Sequence, residues 1–95
     1  MDNLQEITEC RIGNPRIVKS NREHTSHLVR IEVAIKNGPL QKELVFHINV
    51  RKDERGWHPH NPTLERIKET IKEEGFDPDT FNLIIFKTQV MNAVE

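Results

Sequence analysis

The sequence predicts an α+β domain: a small antiparallel sheet of four or five strands with one amphipathic helix packed on one face. Three observations predict it. Residues 29–36 and 44–51 alternate apolar with polar side chains, the period of a half-buried strand. Asn37-Gly38-Pro39-Leu40-Gln41 lies between them and reads as the loop of a hairpin. Residues 61–76 carry an apolar stripe at helical spacing, with a start and a stop signal at their ends. A chain of 95 residues makes one domain, taken as residues 1–95.

The elements follow in order. Residues 4–12 read as a strand, with Leu4, Thr8, Cys10 and Ile12 able to share a face. Gly13-Asn14-Pro15 interrupts it as a turn or bulge, and Arg16-Ile17-Val18-Lys19 is a candidate short continuation. Residues 20–26 hold no apolar side chain and read as a loop.

In the hairpin, directly opposed residues share a face and keep a constant index sum. Bringing the two apolar rows together requires an odd sum, and 79 suits a short loop. That register sets Ile35 against Leu44, Val33 against Phe46 and Ile31 against Ile48. On the polar side it sets Lys36 against Glu43 and Glu32 against His47. Residues 51–60 read as a polar connection.

In the helix, Asn61 is the expected cap and Pro62 suits the first helical position. Leu64, Ile67 and Ile71 form the stripe. Gly75 stands where a left-handed C-terminal residue belongs, and Phe76 follows, placed to fold back onto Ile71. The opposite face, with Glu65, Arg66, Lys68, Glu69, Lys72 and Glu73, has the composition of a solvated surface. Asp77-Pro78-Asp79 makes a turn, and residues 81–88 read as a last strand, apolar on both faces from Leu83 to Phe86. The expected order is β, a short β, β, β, α, β.

No apolar run approaches the roughly 20 residues of a membrane span, so no membrane association is expected. Met1-Asp2-Asn3-Leu4-Gln5-Glu6 has neither a basic nor an apolar leader region, and the single Cys10 can form no internal disulfide. These features favour the cytoplasm. The net charge of −1 is unevenly spread: residues 11–30 carry Arg11, Arg16, Lys19, Arg22 and Arg30 against Glu23 alone, while residues 1–10 and 61–80 are acidic. Such asymmetry can steer a charged partner.

His24-x-x-His27 and His58-x-His60 resemble metal-ligand spacings, with Cys10 and His47 as further candidates. Zinc wants about four converging ligands. Both pairs lie in loops and no second cysteine exists, so solvated loop histidines are expected and no metal or cofactor is assigned. Cys10, beside Thr8 and Ile12, reads as a packed thiol rather than a nucleophile. No phosphate loop, nucleophile elbow or metalloprotease motif is present, so an enzyme is not expected.

By elimination the sequence points to a small non-enzymatic module that binds a protein partner. Adaptors, inhibitors and immunity proteins, including those of phages and mobile elements, are of this size. The expected surface is the polar sheet face with its adjoining loop: Arg30, Glu32, His47, Asn49, Arg51 and Trp57. Trp57 reads either as a partner anchor or as a lid over the open end of the core. A sheet edge also offers a place for a second copy of the chain to pair. The alternative is nucleic-acid binding through Arg11, Arg16, Lys19, Arg22 and Arg30.

Overall fold

The computed structural model describes residues 3–95; Met1 and Asp2, part of the opening segment read for a leader, lie outside it. Four strands run antiparallel in the order β1-β2-β3-β4: β1 Glu9–Ser20, β2 Ser26–Asn37, β3 Leu40–Asp53 and β4 Gly56–Pro59. Two helices follow, α1 Asn61–Glu73 and α2 Leu83–Asn92, with a single 3₁₀ turn at Pro78–Thr80 between them. The α+β class is as the sequence predicts.

The core lies on one side of the sheet. Val29, Ile31, Val33 and Ile35 of β2 and Phe46, Ile48 and Val50 of β3 are buried, every second residue of each strand. Against them pack Leu64, Ile67 and Ile71 of α1, Phe76 and Phe81, and Phe86 and Val90 of α2. The helices therefore cover one face and leave the other open.

The hairpin register differs from the expected one by a single step on the same face. Its index sum is 77: Ile35 opposes Lys42, Val33 opposes Leu44, Ile31 opposes Phe46 and Val29 opposes Ile48. Lys36 then faces Gln41, Glu43 faces Ala34, Glu32 faces Val45, and His47 faces Arg30. The turn explains the shift. Asn37 pairs with Leu40, leaving Gly38 and Pro39 as a two-residue loop. Gly38 has φ +58° and proline fixes a negative φ after it, the sign pattern of a type II′ turn that matches strand twist.

The predicted first strand divides. Gln5 bridges to Phe76, its N–H donating to the Gly75 carbonyl at 2.9 Å and its carbonyl accepting from Asp77 at 2.8 Å. The Ile7 N–H donates to Thr80 Oγ1 at 2.9 Å. Residues 5–7 thus tie down the exit of α1, and β1 begins only at Glu9. From there it runs through the Gly-Asn-Pro interruption to Ser20, with register shifts between Gly13 and Arg16 and between Ile17 and Lys19. The interruption is a bulge, with Asn14 at φ +53°.

The cap of α1 is His60, not Asn61. Its N–H still donates to the Asn49 carbonyl at 2.8 Å, so the chain leaves the sheet and enters the helix without an intervening residue. The C-terminus is as predicted. Gly75 has φ +92°, its N–H donates to the Lys72 carbonyl at 3.0 Å, and that of Phe76 donates to the Ile71 carbonyl at 3.1 Å. This pair of bonds is a Schellman motif.

The expected last strand is a helix. Asn82 Oδ1 accepts from the Ile85 N–H at 3.1 Å and caps α2. Leu83, Phe86 and Val90 turn toward the core, while Ile84 is 77% exposed and Ile85 50%. The sheet instead takes its fourth strand from the polar connection, where Val50 pairs with Pro59 and Lys52 with Trp57. Proline is tolerated there because β4 is an edge.

Candidate functional site

Alternation puts a defined set of side chains on the open face, in rows that cross the strands. The first row is Arg11, Ala34 and Glu43, and the second is Gly13, Glu32 and Val45. The third is Arg16, Arg30 and His47, and the fourth is Lys19, Leu28 and Asn49. The fifth is Ser26, Arg51 and His58. Carboxylates occur in the first two rows and none in the next three; beyond these rows the same face carries Glu9 beside Lys36 at one end and Asp53, opposite Gly56, at the other. A charge boundary therefore crosses the face at Glu32, whose Oε2 lies 3.5 Å from Arg30 Nη1 and accepts from Asn14 Nδ2 at 2.9 Å.

The two bulges of β1 create this arrangement. In an uninterrupted strand Arg11 and Lys19 would share one face and Arg16 would take the other. The shift before Arg16 places it opposite Arg30, and the shift before Lys19 places it opposite Leu28. Each extra residue re-aims the next basic side chain, and Arg11, Arg16 and Lys19 all reach the open face.

The two residue sets expected from sequence meet here. Arg30, Glu32, His47, Asn49 and Arg51 lie on this face, and so do Arg11, Arg16 and Lys19. Arg22 lies in the β1–β2 loop. Trp57 is on the other side. It pairs with Lys52, packs against the core and stacks on the His27 ring, with centroids 4.5 Å apart and planes at 20°. His27 Nδ1 is 2.7 Å from Ser20 Oγ, and Lys52 Nζ lies 5.9 Å from the Trp57 ring centre. Trp57 closes the end of the core. Sequence reasoning missed His58, which joins the face once β4 is known, while Ala34 and Val45 lie on it as their alternation predicts. A shallow cavity of about 400 Å³ opens over Ala34 and Val45, between Arg11 and Glu43.

At the far edge, Asp53 Oδ1 accepts from the Arg55 N–H at 2.7 Å and Oδ2 lies 2.8 Å from His58 Nε2. The Arg55 N–H and then His58 hold the Asp53 carboxyl below its ordinary range. Cys10 is exposed rather than packed: it lies opposite Ile35 on the edge strand β1. Partial desolvation against the sheet raises its thiol pKa. Among the described residues no three His, Cys, Asp or Glu side chains converge as metal ligands. Among them, no helix is long and apolar enough to cross a membrane.

No protein-family model matches the chain, and no curated protein or solved structure matches it.

Proposed function

We propose that this chain is a non-enzymatic binding module that docks a macromolecular partner on the open face of its sheet. One observation carries the proposal: two bulges turn Arg16 and Lys19 onto the face that already holds Arg30, His47, Asn49 and Arg51. Bulges that aim side chains favour a used surface over an incidental one. The sheet edges support a face rather than an edge as the contact. β1 carries two bulges and Pro15, and β4 has only four residues ending in Pro59, features that discourage strand pairing. A lone, exposed Cys10 supports the cytoplasm as the compartment.

Protein contact and nucleic-acid contact both suit such a face; the three rows without a carboxylate favour the second. The test is affinity capture from a lysate of the native host, with and without nuclease. Wild type is compared with Arg30→Ala/Asn49→Ala and with the helix-face variant Glu65→Ala/Glu69→Ala. A macromolecule lost only from the sheet-face variant is the expected result. Loss confined to the helix-face variant contradicts the proposal.

A further inference from the structure

We infer that the occupant of the basic rows is a nucleic-acid strand held through its phosphates, without base stacking and without sequence preference. The inference rests on the open face being the binding surface. Charge complementarity selects the occupant. Rows three to five present Arg16, Lys19, Arg30 and Arg51 with His47 and His58, and no carboxylate among them. The loops at the same end carry Arg22 beside Glu23 and Arg55 beside Asp53 and Glu54, so they add no net positive charge and the cations that count are those of the rows. The whole chain carries a net charge of −1, and the surplus is confined to the strand rows themselves, bounded by Glu32 on one side and by Asp53, against His58, on the other.

The like-charged pair is informative. Arg16 and Arg30 stand directly opposite each other, an arrangement that costs stability unless something anionic lies over it. Glu32 approaches Arg30 from the second row. Arg16 forms no ion pair among the described residues.

The absence of stacking follows from where the aromatics are. All four Phe side chains are buried in the core, Trp57 lies on the inner side against His27, and the chain has no Tyr. A sheet that binds single strands through their bases needs aromatic platforms on its open face. This face offers guanidinium, ammonium, amide and imidazole groups, which suit phosphate oxygens.

The experiment is fluorescence anisotropy with a labelled oligonucleotide, single-stranded in one arm and duplex in the other, using the full chain. With four cations engaged on duplex, the slope of log affinity against log salt is expected near −3.5. Affinity then falls about a hundredfold between roughly 50 and 200 mM salt. Arg16→Gln/Arg30→Gln is expected to make the slope shallower by about two and to weaken binding at least tenfold at the lower salt, roughly 50 mM. Arg66→Gln on α1 leaves both unchanged, and circular dichroism confirms that each variant folds. Sequence-scrambled oligonucleotides bind alike.

Absence of binding at low salt overturns the inference, as does binding indifferent to Arg16→Gln/Arg30→Gln or to salt. If oligonucleotides do not bind while a nuclease-resistant protein partner is captured through Arg30 and Asn49, this inference falls and the binding-module reading stands. If neither nucleic acid nor protein depends on the face, both fall.

Discussion

Arg16 stands directly opposite Arg30 across β1 and β2, with both side chains on the open face of the sheet. Like charges in this position repel. Arg16→Gln is therefore expected to leave stability unchanged or to raise it by up to about 0.5 kcal/mol. Urea unfolding at low salt measures this. A clear loss of stability would mean that Arg16 has a structural task within the fold.

The C-terminal helix gives a sharper test of the fold. Ile84 is 77% exposed and Phe86 fully buried, two positions apart. Alternation in a strand would place them on the same face. Ile84→Lys is expected to cost less than about 0.5 kcal/mol, and Phe86→Ala about 3–5 kcal/mol. Chemical denaturation of the two variants checks it, and similar large losses for both would argue for a strand.

Gly75 ends α1 at φ +92°, and a Cβ there would meet no atom within 4 Å. The cost of Gly75→Ala is thus conformational rather than steric contact with neighbours, and about 1–2 kcal/mol is expected. Thermal unfolding reads it directly. An unchanged melting temperature would mean that the helix ends in some other way.

Trp57 tests whether a large aromatic in a polar segment is an anchor or a lid. It packs against the core and stacks on His27, so Trp57→Ala is expected to cost more than about 1.5 kcal/mol of stability. As the single tryptophan, it also reports its own environment by fluorescence. A variant of native stability that has lost its partner would restore the anchor.

Asp53 sets an acid dependence. The Arg55 N–H and His58 hold its carboxyl lower in the folded chain than in the unfolded one. Its contribution to stability is therefore present above the ordinary value of about 3.9 and lost as pH falls through the lower folded value. Asp53→Asn is expected to flatten the stability profile in that acid window, followed by urea unfolding between neutral and acid pH. A profile unaltered by the substitution would contradict the contact.

The parts of the fold legible in sequence are those with an unambiguous period or a committed backbone. Residues 29–36 and 44–50 alternate, so their buried rows could be named. Gly75-Phe76 announces its left-handed exit. The register was missed because it turns on Gly38-Pro39, whose opposite φ signs favour a two-residue loop over a longer one. The run Leu83–Phe86 is too short for its period to distinguish strand from helix, and only the Asn82 cap favoured the latter. β4 is short, polar and ends in proline, so it carries little signal of its own.

Of the candidate surface, the polar members of β2 and β3 followed from alternation. The alignment of Arg11, Arg16 and Lys19 with them did not, because a bulge is a property of pairing. Gly13-Asn14-Pro15 marks the first bulge; nothing in Ile17-Val18-Lys19 marks the second.

The most direct measurement is a nuclear magnetic resonance titration with a short duplex oligonucleotide, read at side-chain signals that belong to one face. The Arg16, Arg30 and Arg51 Nε–H groups, the Asn49 amide and the His47 ring are expected to shift together, with Trp57 Nε1–H and the α1 side chains unmoved. Shifts confined to α1 or to Ile84 and Ile85, with the Arg16 and Arg30 signals unchanged, would contradict the open sheet face as the binding surface.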